Sequence, residues 1–166
     1  LNDPSVCANA DIRGVYRAPF NIPGARILSK RIAVRKKRGA NEPGDLRRMP
    51  ELTFLGTGTS NGIPMIGCEC PVCRSSDPRD RRSRTSSVVR WGETVYLIDT
   101  ATELRTQALE RGLKRIDAVL MTHAHADHTH GIDDIRAFSV RRDGALPIYG
   151  PAETLAALAH KFPYIF

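Results

Sequence analysis

The alternation of apolar and polar positions divides the chain sharply. From residue 50 onward, short apolar runs come in turn at strand and helix spacing, whereas residues 1–48 sustain no period. Leu52–Leu55 reads as a first strand ending in a glycine-threonine turn, Gly56–Thr59. Ser86–Trp91 and Thr94–Ile98 are β-rich runs joined by Gly92-Glu93, a hairpin signal. Ala101–Gly112 has helical composition, with Leu104, Ala108 and Leu109 expected inward and Gly112 as the C-cap. Asp117–Met121 is the next strand. Ile132, Ile135, Phe138 and Val140 then recur at close to helical spacing. Pro147–Tyr149 is a short strand, and Pro151–Lys161 an alanine-leucine helix with proline in its first turn. Strands alternating with helices predict an α/β layered domain.

Composition changes the picture mainly at the front. The net charge of +7 would suggest a nucleic-acid binder if it were spread over the chain. It is not: residues 1–49 hold eleven Lys/Arg and four Asp/Glu, and residues 50–166 hold fourteen of each. The domain itself is neutral, so basicity is poor evidence for an RNA substrate. Two units are expected: residues 1–48, a basic extension that is flexible or non-native, and residues 49–166, a domain beginning at Met49-Pro-Glu-Leu-Thr-Phe. No apolar run approaches the roughly 20 residues that span a bilayer, and no secretory leader pattern stands out.

The chemistry concentrates between Met121 and Gly131, which hold four of the five histidines. His123, His125, Asp127 and His128 form an H-x-H-x-D-H pattern where a strand runs out and a helix begins. In extended chain, residues two apart point the same way, so His123, His125 and Asp127 can converge while His128 faces a second point. Imidazole nitrogens and carboxylate oxygens are ligands for zinc, iron or manganese, and the natural reading is a dinuclear metal site. His130 is either a residue orienting a ligand or substrate or simply part of the helix start. Asp99, at the exit of the Thr94–Ile98 strand, is either a carboxylate orienting a metal ligand or the N-cap of the following helix. Cys68, Cys70 and Cys73 offer three soft ligands within six residues, suited to one structural zinc and to a reducing compartment. Ser75–Arg84 reads as a solvated arginine-rich loop, and His160, with no acidic or cysteine neighbour, as no ligand.

Thr122-His-Ala-His-Ala-Asp-His128 resembles the signature of the metallo-β-lactamase fold hydrolases, and Leu55-Gly-Thr-Gly-Thr-Ser60 is similar to the turn after their first strand. Cys68-Glu-Cys-Pro-Val-Cys73, Gly131-Ile-Asp-Asp-Ile-Arg136 and Phe162-Pro-Tyr-Ile-Phe166 resemble the PhnP-like branch, the cyclic phosphodiesterases of phosphonate breakdown. The resemblance implies the N-terminal half of an αββα four-layer sandwich, truncated at the C-terminus. It implies His123 and His125 on one divalent metal, Zn or Mn, and Asp127 and His128 on the other, Asp127 also being placed to orient the nucleophile. A later histidine would close the zinc site of the three cysteines. The expected activity is hydrolysis of a small cyclic sugar phosphate in the cytoplasm, with no membrane partner, nucleic acid not favoured and a homodimer left open. A tRNase Z-like nuclease and a thioester or lactam hydrolase share the motif. A zinc-binding module without chemistry is the reading from another class.

Overall fold

The computed structural model describes residues 49–140, 142 and 145–166. The expectation for the basic segment 1–48, and with it the unit boundary, lies outside the described residues.

Five strands form one sheet in chain order: β1 (Glu51–Gly56), β2 (Ser86–Trp91), β3 (Thr94–Ile98), β4 (Ala118–Leu120) and β5 (Ile148–Tyr149). The first three pair antiparallel, with β2 and β3 turning at Gly92, whose φ is +58°. β3 to β4 and β4 to β5 are parallel, so each needs a crossover rather than a tight turn. The first crossover carries α1 (Leu104–Glu110). The second carries α2 (Ala126–Thr129), a 3₁₀ turn (Ile132–Ile135) and α3 (Arg136–Ser139), and α4 (Ala152–Lys161) follows β5.

The register sorts the strand residues into two faces. Thr53, Val88, Leu97, Val119 and Ile148 lie across from one another, and Val88, Leu97 and Val119 are buried in one cluster with Leu104, Ile132 and Leu158. On the opposite face run Leu52, Val89, Tyr96 and Ala118, and beside them Phe54, Ser87, Ile98, Leu120 and Tyr149. That face is uncharged and half bare: Leu52 is 52% exposed and Phe54 54%.

Three sequence expectations change. The helix expected over Ala101–Gly112 covers only Leu104–Glu110, because the chain from Thr100 to Ala101 is held by the loop beside it: Gly131 N–H donates to Thr100 O at 3.0 Å. Within α1, Leu109 points outward and Gln107 takes the inward place. The Gln107 amide nitrogen donates to Ser83 Oγ at 2.9 Å and Arg84 O at 2.8 Å, which offsets part of the cost of burying it, while its Oε1 is buried without a partner among the described residues. The helical spacing of Ile132–Val140 resolves into a 3₁₀ turn and a single α turn, with Ile132 and Ile135 inward.

The glycine turn is required by close backbone packing. A Cβ on Gly56 would lie 2.0 Å from Arg84 O, and one on Gly58 2.4 Å from Arg82 O. These glycines let β1's exit pack against the segment entering β2, where Gly58 N–H donates to Ser83 O, and not against the histidines.

Candidate metal centre

β4 delivers Met121, buried at its exit, to the histidine loop. His125 is the N-cap of α2 in extended conformation, and Asp127 and His128 already lie within that helix. The parity argument therefore holds only as far as His125, because the helix starts at Ala126. What comes together is three rings. His123 meets His125 edge-on at 4.6 Å between centroids and His128 at 4.1 Å. His128 Nε2 lies 3.4 Å from Asp127 Oδ2. His130 caps α2 at its C-terminal end and is exposed, its ring edge-on to Phe162 at 5.8 Å. His160 is exposed on α4.

Asp99 holds this loop from below. It is 2% exposed and takes a left-handed φ of 57°. Its backbone is fixed on both sides, N–H donating to Leu120 O at 2.9 Å and C=O accepting from Ser86 Oγ at 2.9 Å. Its Oδ1 accepts from Thr122 N–H at 2.8 Å, and its Oδ2 accepts from Thr122 Oγ1 and His128 Nδ1, both at 2.7 Å. The N-cap alternative is thereby set aside: α1 is capped at Glu103, and the carboxylate is turned toward the histidines. Thr100 continues the brace, its N–H donating to His128 O at 2.8 Å and its hydroxyl to Thr129 O at 3.2 Å.

The cysteines form a second cluster. A ligand atom from each of Cys68, Cys70 and Cys73 lies within 4.8 Å of the other two, the one such triple among the described residues. Cys73 Sγ accepts from Met65 N–H and Cys70 Sγ from Cys73 N–H, each at 3.4 Å. Three sulfurs turned together, those of Cys70 and Cys73 bonded by backbone donors, fit a thiolate-bound metal. The histidine loop fits divalent metals by its donor set, neutral imidazole nitrogens beside a carboxylate.

The segment that follows is less solvated than its arginines suggested. Arg82 pairs with Ile63 through both backbone groups at 2.8 Å. Arg84 forms an ion pair with Glu103 and donates to Ser60 O at 2.8 Å. Asp77 caps the 3₁₀ turn Pro78–Asp80, and the bonds from Arg79's guanidinium and then its backbone N–H hold the Asp77 carboxyl below its usual range.

Sequence reasoning passed over Thr122, Thr100, Gly131 and Lys161. The last donates from Nζ to Ala124 O at 2.9 Å, so α4 touches the histidine loop. A Cβ on Gly131 would sit 2.0 Å from Ala101 O. A glycine directly after a histidine loop was a readable sign of close approach. The threonines carried no sign of their roles.

Residues 94–166 match the family described as Beta-lactamase superfamily domain. A solved diphosphatase of the PhnP family is 48% identical, superposes with a TM-score of 0.67, and is matched over 71% of this chain and 49% of its own. Among curated proteins, an octanoyltransferase of Porphyromonas gingivalis is 42% identical over 115 residues, 68% of this chain but 23% of that protein. A ribonuclease Z of Mycolicibacterium gilvum is 32% identical over 113 residues, 64% of this chain and 34% of that one. The chain thus spans about half the length of the solved relative and about a third or less of these curated ones. Its fold is that of the metallo-β-lactamases. Over the part that aligns it is PhnP-like.

Proposed function

We propose that this chain carries the first metal-binding loop of a metal-dependent phosphohydrolase acting on a small phosphodiester, of which a cyclic sugar phosphate is the preferred candidate. The observation that supports it best is the gathering of His123, His125 and His128 beside Asp127 and over the buried Asp99 carboxylate, in a chain similar to a PhnP-family diphosphatase. His123 and His125 would hold one divalent metal and Asp127 and His128 another, which when bound supply an activated water and neutralise phosphate charge. The chain's own residues do the rest. Asp99 fixes the ring of His128, Thr100 fixes its backbone, and Asp127 would orient the attacking oxygen.

Cys68, Cys70 and Cys73 would hold a separate structural zinc. Cys70→Ser is expected to remove one zinc equivalent, read by elemental analysis, while His123→Ala with His125→Ala leaves that equivalent in place. An unchanged zinc content in Cys70→Ser would rule the site out.

The ribonuclease Z similarity supports a second reading, in which the phosphodiester belongs to RNA. The test joins this chain to the second half of the PhnP-family diphosphatase. It compares hydrolysis of bis(p-nitrophenyl) phosphate, a ribose cyclic phosphate and a precursor tRNA in manganese and zinc. Turnover of the cyclic phosphate, abolished by His125→Ala and by Asp127→Ala, is the expected result. Preference for the tRNA would replace the first reading with the second. The 166-residue chain alone is expected to turn over slowly or not at all, since two protein ligands per metal hold it loosely.

A further inference from the structure

Asp99 bonds two different groups in the histidine loop, the Thr122 hydroxyl and the His128 ring, and the hydroxyl stands between it and His123. Thr122 Oγ1 lies 2.7 Å from Asp99 Oδ2 and 2.9 Å from His123 Nδ1. A carboxylate can only accept, so the single hydroxyl proton of Thr122 is given to Asp99. Toward His123 the hydroxyl can then only accept, and Nδ1 of that ring must be the protonated nitrogen. The same reasoning applies to His128, whose Nδ1 lies 2.7 Å from the same Oδ2 and must donate to it. When neutral, both rings are left with a bare Nε2, that of His128 lying 3.4 Å from Asp127 Oδ2.

We infer that Thr122 is a positioning residue: its hydroxyl extends the hold of Asp99 to His123, so that one buried carboxylate sets the tautomer of two histidines at once. Val88 and Leu97 on the buried face of the sheet do nothing of this kind, and neither does His125, whose backbone oxygen accepts from Thr129 Oγ1 at 2.8 Å. The arrangement gives a use for a hydroxyl two residues after β4, where an apolar β-branched residue would fill the same space. A residue that sets which nitrogen is bare decides which atom is offered to a metal. The inference rests on the reading of His123 and His128 as ligands for its purpose, though not for its geometry.

The test uses the metal-free 166-residue chain with ¹⁵N-labelled histidine, at a pH about two units above the usual imidazole value of about 6.5. Long-range ¹H–¹⁵N correlations report which nitrogen of each ring is protonated. His123 and His128 are both expected with the proton on Nδ1. Thr122→Ser should keep that pattern. Thr122→Val should release the tautomer of His123 and leave His128 as it was, and zinc affinity by calorimetry should fall roughly 10- to 100-fold. A proton on Nε2 of His123 in the unmodified chain overturns the inference, as does a Thr122→Val spectrum unchanged at His123. If Thr122→Val does not fold, the unmodified chain and Thr122→Ser still decide the matter. Should His123→Ala bind metal as tightly as the unmodified chain, the ligand reading fails while the tautomer result stands by its own measurement.

Discussion

At the scale of single residues, the loop depends on two positions with unusual backbone demands. Asp99 holds a left-handed φ while almost fully buried, a conformation that costs an L-residue about 1–2 kcal/mol and that aspartate tolerates better than most. Three donors to its carboxylate offset that cost. Gly131 is a matter of space, with a Cβ meeting a backbone oxygen that cannot swing aside. Gly131→Ala is therefore expected to lower stability by about 1–3 kcal/mol, or more if the strand exit must shift, read as a lower urea midpoint at unchanged slope. An unchanged midpoint would show that the loop is softer than its hydrogen bonds imply. The histidines were legible from type and spacing alone, because few other uses need four of them so close. The brace was not: Asp99 lies 29 positions from His128, and only the parallel pairing of β3 with β4 makes them neighbours.

At the scale of elements, the strands and α4 were readable nearly to their ends, and the helices between β3 and β5 were not. The β2–β3 hairpin spans the expected residues, since alternation and a glycine turn define it locally. Helix α1 lost its first turn to the ties at Thr100 and Ala101, and its inward face went to Leu104, Gln107 and Ala108. A polar residue took the place that periodicity assigned to Leu109, and its reason lies in carbonyls of another segment, which no local pattern reveals. Leu104→Ala is expected to cost about 2–5 kcal/mol, whereas Leu109→Ala should stay within about 0.5 kcal/mol. Chemical denaturation of the two variants side by side checks the assignment, and equal losses would return Leu109 to the core.

At the scale of the whole molecule, the sheet is clothed on one side. Leu52, Phe54 and Tyr149 stand about half exposed on the other, and no charge interrupts the rows to which they belong. An uncharged face of this kind on a solvated protein promotes association. The 166-residue chain is expected to self-associate in a concentration-dependent way, and Leu52→Lys with Phe54→Lys to shift it toward monomer without altering its circular dichroism. Sedimentation at several concentrations decides it: a chain that stays monomeric throughout would mean that the face is covered. Among the described residues no helix is long and apolar enough to cross a membrane.

The strand order of this sheet is also its order of synthesis. Each strand leaving the ribosome meets the edge that its predecessor has just provided, and none has to wait for a partner encoded far downstream. Chains grow at about 5–20 residues per second, and local strand pairing takes microseconds. The hairpin of β2 and β3, with Asp99 at its exit, can therefore stand ready before the histidines are translated. Thr122 and His128 then arrive at the exit of that hairpin, and the loop is shaped on a segment older than itself by a second or more.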